Sequence, residues 1–401
     1  MNILFLTLGE IKDFNQTGLY PDLINEFADH GHNMYVVSPC EKKNKERYEL
    51  IKKKDNISLI SALIPDYFGV GLIRKGISSV FLSTRYTRAI KHAIPNVKFD
   101  LILYSTPPIT FCGVIEKLKK RDKAVTYLLL KDIWPQGPID IGALSTIGLK
   151  GIVTSYFKNK EKRLYNISDY IGCMSTQNCR YLEENTSLSK TKIEVCPNSI
   201  KVRNAISVDK VKVRKDFGLP VEKTIYVYGG NLGVAQGIDF IISCVQRNED
   251  NPDTYILIVG SGTEYKKLYD WFEMNKPNNS KLISYLPSEQ YKNLMAACDV
   301  GLIFLDHRFT IPNFPSRLLS YMEGCMPVLA ATDPNTDIGK VIELGGFGYW
   351  CESNDVNGFN RLLEKFKDSS SRQEMGKNAY RYLEKNYSVN NSYHIIMNHF
   401  E

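Results

Sequence analysis

Short apolar segments recur along the chain, and each is followed by residues with the apolar spacing of an amphipathic helix. Their apolar residues are continuous rather than alternating, which is typical of strands buried on both faces. Strands separated by helices predict parallel sheets, so the pattern predicts an α/β chain with two doubly wound, Rossmann-like halves. The predicted strands lie at 3–8, 34–38, 57–60, 101–104, 125–130, 170–175 and 193–198, then at 224–230, 255–260, 282–286, 300–305 and 327–330.

A polar segment at residues 199–222 separates the two halves. Its last part has the pattern of a short charged helix that ends at Gly218, and a new series of strands and helices follows. Two such halves leave a cleft between the carboxyl ends of their strands, where ligands bind in folds of this kind. Candidate site residues are therefore expected in the loops that follow each strand.

Composition narrows the class of protein. The net charge of +7 over 401 residues is too small to indicate nucleic acid, and it suits an anionic small molecule or a membrane surface equally well. Nine scattered cysteines without a C-x-x-C pair indicate reduced thiols in a cytosolic chain. The six histidines form no metal-binding motif, so no metal site is expected. The first residues predict a strand rather than a signal peptide, and no segment is long and apolar enough to predict a membrane span.

Two glycine-containing loops follow predicted strands of the second half. Gly229, Gly230, Gly233 and Gly237 allow the backbone to approach a ligand closely, although a tight turn between strand and helix is the alternative. Ser261 lies between two glycines after the next strand. Neither loop, nor the turn after the first strand, completes the dinucleotide fingerprint, which argues against a nicotinamide-dependent dehydrogenase.

Arg317 is placed unusually for a helix. Ser316 suits an N-cap and Gly324 suits the C′ position, so Arg317 becomes the first residue of a short helix. A cation there opposes the helix dipole by roughly 0.3–1 kcal/mol, whereas a charged hydrogen bond to a phosphate contributes roughly 1.5–3 kcal/mol. Because the hydrogen bond outweighs the dipole, the position predicts a bound phosphate; the alternative is an arginine that extends into solvent.

A charged pair follows a buried strand in the first half. Lys131 and Asp132 come directly after the strand at 125–130, and Trp134 lies two residues further on, where it suits the wall of a sugar or lipid site. The alternative is a structural ion pair beside a core tryptophan.

Residues 67–99 contain no acidic residue. Basic residues alternate there with apolar ones, as in helices that lie on membrane surfaces. The alternative is a solvated basic helix face.

Several of these loops together resemble one family. The stretches T-G-L-Y-P-D-L-I, K-D-I-W-P-Q, V-Y-G-G-N-L-G-V-A-Q-G-I-D and P-S-R-L-L-S-Y-M-E-G-C-M-P-V-L-A occur in the order and spacing of GT-B glycosyltransferases of family 4. The resemblance runs nearly end to end. It is greatest to the bacterial branch that builds O-antigen or capsule and includes N-acetyl-fucosamine transferases.

The resemblance implies a nucleotide-sugar donor on the second domain and an acceptor on the first. Family members retain the anomeric configuration and use neither a metal at the diphosphate nor another cofactor. Their last helix returns to the first domain, which implies one domain over 1–204 with 386–401 and another over 205–385.

The matched motifs also imply site residues. Catalysis falls to Lys131, Asp132 and Arg317, and the acceptor side includes Gly18 and Trp134. Donor-binding positions are Gly230, Asn231, Gln236, Ser261, Gly262, Tyr285, Leu286, Ser316 and Arg317.

Some family positions differ in this chain. Ile311 and Leu319 stand where many members carry a pair of glutamates, and Asn231 and Gln236 stand where many carry arginine and lysine. The first-domain His-Asp pair of some members is Lys131 and Asp132 here.

The resemblance implies transfer of an N-acetylamino sugar from a UDP-sugar to a polyprenyl-diphosphate-linked saccharide. Such an enzyme is peripheral on the inner face of a bacterial membrane and contributes to surface polysaccharide. Two alternatives remain: a GT-B sugar-nucleotide epimerase, and a non-catalytic subunit that binds a nucleotide-sugar. The sequence names neither the sugar nor the linkage.

Overall fold

The structure is a computed structural model that describes residues 1–11, 13–41, 50–65 and 72–400, without the side chains of 41, 50–53, 72–77 and 149–150. The chain divides into two compact units. The first comprises Met1–Lys201 and Val389–Glu401, and the second comprises Val202–Ser388.

The first unit is built on a sheet of eight described strands in the order β3-β4-β2-β1-β5-β6-β7-β8. All neighbours pair in parallel except β3, which runs antiparallel to β4 at the sheet edge. The strands are β1 (Asn2–Leu6), β2 (Asn33–Glu41), β3 (Leu50–Lys54), β4 (Ile57–Ile64), β5 (Leu101–Ser105), β6 (Val125–Leu130), β7 (Tyr170–Cys173) and β8 (Ile193–Val195). The helices that follow them are α1 (Leu19–Asp29), α2 (Leu72–Ala93), α3 (Cys112–Asp122), α4 (Gln136–Asp140), α5 (Gly148–Ile167) and α6 (Thr176–Asn185).

The second unit contains a parallel sheet of six described strands in the order β11-β10-β9-β12-β13-β14. Its strands are β9 (Thr224–Asn231), β10 (Thr254–Ser261), β11 (Ser280–Ile283), β12 (Val300–Phe304), β13 (Val328–Thr332) and β14 (Gly348–Glu352). Its helices are α7 (Lys210–Asp216), α8 (Ile238–Arg247), α9 (Tyr265–Asn275), α10 (Ser288–Ala296), α11 (Arg317–Glu323), α12 (Ile338–Leu344), α13 (Val356–Leu363) and α14 (Ser369–Asn386).

The last helix, α15 (Val389–Met397), returns to the first unit. Its Tyr393 and Ile396 enter the apolar core around β1 and α1. The Tyr393 hydroxyl lies 3.0 Å from Nε2 of buried His32, and the Ser392 hydroxyl donates to Ser199 at 2.7 Å. The first unit is therefore completed by residues from both ends of the chain.

Both sheets have a topological switch point, where the strand order reverses direction. In the first sheet it lies between β1 and β5, and in the second between β9 and β12. Strands β5, β12 and β13 are buried along their whole length, as expected for the centre of a doubly wound sheet. Ligands bind at the carboxyl ends of the strands beside such points, so the switch point is the expected position for a site in each unit.

Two strands were not predicted, and one predicted strand is shifted. The prediction lacked β3 and β14, which lie at sheet edges. The strand predicted at 282–286 is β11, which ends at Ile283, so Tyr285 and Leu286 belong to the following loop. An edge strand pairs with one neighbour only, so its length is set by that single pairing. Strand β11 pairs with β10 only from Ser280 to Ile283.

Close approach of β9 and β10 depends on Gly260. A Cβ at this position would collide with the carbonyl oxygen of Gly230. We expect Gly260→Ala to lower the free energy of unfolding by about 1–3 kcal/mol, because the backbone must move to accommodate the methyl group. Urea denaturation measures this change. The control is Gly324→Ala, whose Cβ would lie 3.4 Å from its nearest neighbour, the Ser320 carbonyl oxygen. Equal stability of the two variants would contradict the prediction.

Candidate active site

In the second unit, β9 separates from β12 before either strand ends. Pairing between them stops at Val227 and Gly301, whereas β9 remains paired with β10 as far as Asn231 and Ser261. The last residues of β9 therefore have a neighbouring strand on one side only. Their other backbone groups need different hydrogen-bond partners.

Tyr321 of α11 supplies one of these partners. Its hydroxyl accepts a hydrogen bond from the Gly229 N–H at 3.3 Å and lies 3.1 Å from the carbonyl oxygens of both Val227 and Leu302. The ring is buried against Gly301, where a Cβ would lie 2.5 Å from ring atoms. Helix α11 is thus held over the point where the two strands diverge.

Arg317 supplies the second partner. Its Nη1 donates to the Gly229 carbonyl at 2.8 Å, and the guanidinium lies 4.1 Å from the centre of the Tyr228 ring. Gly230 has φ 141°, and a Cβ there would lie 2.8 Å from Nη2 of Arg317. The side chain is partly buried, so the alternative of an arginine extending into solvent is wrong. Within the described residues, no carboxylate forms an ion pair with it.

Tyr228 joins Arg317 to the neighbouring glycine loop. Its hydroxyl donates to the Asn231 carbonyl at 2.6 Å. Burial raises the pKa of Tyr228 to about 12, although Arg317 opposes the rise, so the ring remains neutral at neutral pH. Sequence reasoning missed this residue because an aromatic side chain inside an apolar strand has the pattern of a core position.

Five predicted donor residues lie together at the ends of β9 and β10. Gln236 Oε1 accepts from the Gly233 N–H at 3.0 Å and from Asn231 Nδ2 at 3.3 Å. The Leu232 N–H donates to the Ser261 carbonyl at 2.9 Å. The group that the structure brings together is Gly230, Asn231, Gln236, Ser261 and Gly262.

The start of α11 differs from the expectation. Ser316 is exposed at the N-cap position, but its side chain makes no capping hydrogen bond. The N–H groups of Leu318 and Leu319 already donate to the carbonyls of Pro315 and Ser316. At the other end, Cys325 rather than Gly324 has the left-handed backbone, with φ 50°. The expected cap from the Ser316 side chain and the expected left-handed backbone at Gly324 are therefore both absent from α11.

Tyr285 and Leu286 are less closely tied to this group. Both lie in the loop after β11, where Tyr285 is 77% exposed. Tyr291 of α10 instead reaches Gly229, where a Cβ would collide with its hydroxyl. Sequence reasoning did not select Tyr291.

A charged pair after β12 was also missed. Nε and Nη2 of Arg308 donate to the two carboxylate oxygens of Asp306 at 2.9 and 2.7 Å. Burial would raise the pKa of Asp306, but the hydrogen bonds from Arg308 outweigh it and lower the pKa. The Asp306 N–H donates to the Ala235 carbonyl at 2.9 Å, which fixes the pair beside the glycine loop. The rule that selected Lys131 and Asp132, charges directly after a buried strand, also applies here.

In the first unit, polar groups meet at the ends of β5 and β6. The Tyr20 hydroxyl donates to Ser105 at 2.9 Å. The Thr106 hydroxyl accepts from the Lys131 N–H and donates to the Asp132 carbonyl, both at 3.2 Å. The predicted pair therefore lies beside the end of β5, one strand from the switch point between β1 and β5, with Tyr20, Ser105 and Thr106 nearby.

The pKa values of Lys131 and Asp132 are both shifted from their usual values. Burial lowers the pKa of Lys131 to about 8, although Cys196 and Asp132 oppose the shift. Asp132 is exposed at the surface of the unit, yet loss of solvation raises its pKa to about 6, and Lys131 limits the rise. In the described structure no ion pair joins the two side chains, so the alternative of a direct structural pair does not hold.

Lys131 also borders a small cavity of about 10 Å³ in the first unit. Asn198 Oδ1 is buried beside it and has no hydrogen-bond partner within the described residues. The polar residues of the lining are Tyr20, Lys131, Asn198, Ser199 and Ser392.

The two predicted acceptor-side residues have simple local roles. Gly18 precedes α1, and its carbonyl accepts from the Asp22 N–H at 2.9 Å. A Cβ there would lie 3.6 Å from Pro21, so the backbone does not require glycine. Trp134 is half-buried and meets the ring of Phe157 on α5 edge-on, with 4.4 Å between ring centres.

The basic segment 67–99 is described in part, because residues 66–71 lie outside the described ranges. In the described part of α2, Leu82, Tyr86 and Ile90 are buried, whereas Phe81 and Arg88 are exposed.

No helix in the described part of the chain combines the length and apolar character that a membrane crossing needs. Among the described residues, no three His, Cys, Asp or Glu side chains gather as a metal site would require.

The chain is similar to known glycosyltransferases in part of its sequence and in its fold. Residues 209–382, most of the second unit, match the family model described as Glycosyl transferases group 1. The two parallel-sheet units match solved GT-B glycosyltransferases, so the predicted fold class is confirmed.

Individual relatives are distant. The chain is 22% identical over 306 residues to "Probable glycosyltransferase WbjE" of Pseudomonas aeruginosa, covering 73% of this chain and 72% of WbjE. It is 22% identical over 244 residues to "Putative colanic acid biosynthesis glycosyl transferase WcaI" of Escherichia coli K12, covering 59% and 58%. Among solved structures, the chain is similar to HepE of Anabaena in complex with UDP and glucose, with a TM-score of 0.68 and 16% identity. The match covers 100% of this chain and 99% of HepE.

Two residues that depart from the pattern expected in the sequence, Ile311 and Leu319, are buried in this chain. Ile311 and Leu319 are 2% and 3% exposed, so both side chains lie in the core of the second unit. A carboxylate at either position would be buried at considerable cost.

We expect Tyr321→Phe to destabilise the protein by about 1–3 kcal/mol, because the Gly229 N–H and two carbonyls lose a buried partner. Chemical denaturation measures the loss. Tyr285→Phe is the matched control, since Tyr285 is 77% exposed, and it should change stability by less than about 0.5 kcal/mol. A Tyr321→Phe variant as stable as the control would show that the hydroxyl does not hold α11.

Proposed function

We propose that the protein is a retaining, metal-independent glycosyltransferase that moves a sugar, in particular an N-acetylamino sugar, from a UDP-sugar to a lipid-linked saccharide. One observation carries the proposal most directly. Arg317 is held over Tyr228 at the switch point of the second sheet, beside a glycine loop, without a carboxylate partner among the described residues. A cation held in this way, with no carboxylate beside it in the described chain, is suited to bind an anionic ligand.

The donor diphosphate is assigned to Arg317. A guanidinium has five N–H donors in a planar fork, and the bond to Gly229 uses one of them. Gly230 and Gly262 let the backbone approach the ligand, and Asn231, Gln236 and Ser261 border the same loop. The UDP bound by HepE, which shares the fold, supports this choice of nucleotide.

Transfer breaks the bond between the anomeric carbon and the diphosphate oxygen, and forms a bond from that carbon to an acceptor hydroxyl oxygen. The hydroxyl proton passes to the departing diphosphate. Negative charge develops on that leaving group, and the fixed positive charge of Arg317 stabilises it there without reorganisation.

On the first unit, Lys131 and Asp132 are assigned to the acceptor. The carboxylate of Asp132 orients the acceptor hydroxyl, and the Lys131 ammonium interacts with its anionic groups. Both pKa values are shifted toward neutrality, as is common where titratable groups act in catalysis. Gly18 and Trp134 follow strands β1 and β6 at the same edge of the sheet, and they are also assigned to the acceptor side.

The acceptor is proposed to be a polyprenyl-diphosphate-linked saccharide on the inner face of a bacterial membrane, in surface polysaccharide synthesis. The relation to WcaI supports this class of pathway. The basic segment 67–99 is proposed to contact the anionic membrane surface.

Product analysis separates this proposal from its rivals. Incubation of the UDP-sugar without an acceptor gives an isomerised donor if the protein is an epimerase. Binding of UDP with no turnover on extracted lipid-linked saccharides indicates a non-catalytic subunit. A new glycosidic product that forms only with an acceptor supports the transferase.

Arg317→Ala is expected to weaken UDP binding about 10- to 150-fold, because a charged hydrogen bond of about 1.5–3 kcal/mol is lost. Calorimetric titration with UDP and with uridine measures it, and uridine affinity should stay the same because uridine has no diphosphate. Arg361→Ala is the matched control, since its side chain is 73% exposed. If Arg317→Ala weakens the binding of UDP and of uridine equally, Arg317 does not contact the diphosphate.

The pH dependence of kcat/KM is expected to be bell-shaped. Activity should rise as Asp132 ionises through about pH 6 and fall as Lys131 loses its proton above about pH 8. Asp132→Asn should remove the acid limb, and Lys131→Met the alkaline limb, each lowering kcat/KM by about 100-fold or more. Glu161→Gln is the control, because burial raises the pKa of Glu161 to about 7 away from the site. If Asp132→Asn keeps the acid limb of the pH profile and Lys131→Met keeps the alkaline limb, the assignment of these residues to the reaction is wrong.

A further inference from the structure

Tyr291 of α10 differs from the other tyrosines at the end of β9. The hydroxyls of Tyr228 and Tyr321 both form hydrogen bonds with backbone atoms of the second unit. In the described chain, by contrast, no residue forms a hydrogen bond with the Tyr291 hydroxyl. Its oxygen is not among the fully enclosed polar atoms that lack a partner there, so it stays open to solvent. The hydroxyl therefore keeps its donor available for a ligand.

Gly229 fixes the position of this hydroxyl. A Cβ on Gly229 would collide with the hydroxyl oxygen and would lie 3.0 and 3.1 Å from two atoms of the Tyr291 ring. The edge of the ring therefore occupies the space that a side chain at residue 229 would need. Helix α10 begins at Ser288 and follows β11, so Tyr291 lies in its first turn, at the carboxyl end of the sheet.

Arg317 contacts the same glycine. Its Nη1 donates to the Gly229 carbonyl at 2.8 Å, and its positive charge acts on the Tyr291 phenol. The hydroxyl of Tyr291 thus meets Gly229 at the α-carbon, while the guanidinium meets it at the carbonyl oxygen. Two hydrogen-bond donors, one neutral and one charged, lie at the residue where β9 has lost its pairing with β12.

The phenol of Tyr291 is neutral at neutral pH. Burial raises its pKa, and the opposing effect of Arg317 is smaller. A neutral phenol donates one hydrogen bond, and a bond to an ionised phosphate oxygen is stronger than a bond to a neutral acceptor. The hydroxyl can therefore strengthen the binding of an anion without adding charge to the site.

We propose that Tyr291 is a second ligand-binding residue of the donor site, whose hydroxyl donates a hydrogen bond to the diphosphate that Arg317 binds. A diphosphate offers several oxygens, so one of them can meet the guanidinium while another meets the hydroxyl. This inference rests on the proposed function, because it requires a diphosphate at Arg317.

The contrast with Tyr321 makes the inference testable. The Tyr321 hydroxyl contacts three backbone groups, so its loss should affect folding. The Tyr291 hydroxyl has no such partner in the described chain, and Tyr291→Phe keeps the ring that packs on Gly229. Tyr291→Phe should therefore match wild type in chemical denaturation and differ from it in ligand binding.

The binding test is calorimetric titration of wild type and Tyr291→Phe with UDP, uridine and inorganic pyrophosphate. The affinities for UDP and pyrophosphate should fall about tenfold or more, because a hydrogen bond to a charged group is lost. The affinity for uridine, which has no phosphate, should stay the same. Salt should weaken UDP binding to the same extent in both proteins, because the variant loses no charge.

Tyr269→Phe is the matched control, because Tyr269 is 45% exposed on α9, and it should bind all three ligands like wild type. Unchanged affinity of Tyr291→Phe for UDP and pyrophosphate would overturn the inference and leave the donor site of wild type intact. An equal loss for UDP and uridine would place the hydroxyl at the nucleoside and also overturn it. A loss of stability together with the loss of binding would make the hydroxyl structural, with the same consequence.

Wild type decides the proposed donor separately. If wild type binds pyrophosphate but not UDP, the choice of nucleotide is wrong, and the pyrophosphate titration of Tyr291→Phe still decides the role of the hydroxyl. If wild type binds neither ligand, the proposed donor site and the inference about Tyr291 are both wrong.

Discussion

The divergence of β9 and β12 is the constraint on which the candidate site of the second unit depends. Once the strands separate after Val227, the backbone of Gly229 faces a gap instead of a neighbouring strand. A buried N–H or carbonyl without a partner costs about 1–3 kcal/mol, so something must fill the gap. Tyr321 and Arg317 do so from one short helix. Since both side chains come from α11, satisfying the backbone also places a cation at the switch point.

The same constraint explains the glycines around it. Gly230 lies against the guanidinium, Gly301 against the Tyr321 ring, and Gly260 against the backbone of β9. Each removes a side chain where another group must approach closely. Packing inside the unit therefore requires these three glycines independently of any ligand.

Much of the fold follows from apolar patterning, because central strands must be apolar on both faces. The two strands that escaped prediction are edge strands, where this requirement is weaker: β3 contains three consecutive lysines, and β14 is partly exposed. Arg317 was identifiable because its charge conflicts with its local position. Tyr228 was not, because its role depends on a guanidinium from a helix far away in the sequence, which no local pattern encodes. The left-handed residue after α11 was assigned to Gly324 on propensity, but tertiary packing places it at Cys325.

The return of α15 to the first unit has a consequence for biosynthesis. Tyr393 and Ile396 fill the core around β1 and α1, yet residues 202–388 are translated before them. The second unit is contiguous in sequence and has all its strands once it leaves the ribosome. The first unit begins earlier but cannot close its core until the final helix emerges. The order of synthesis and the order of completion are therefore opposite, and the unfinished core around His32 leaves apolar surface open to aggregation until α15 is made.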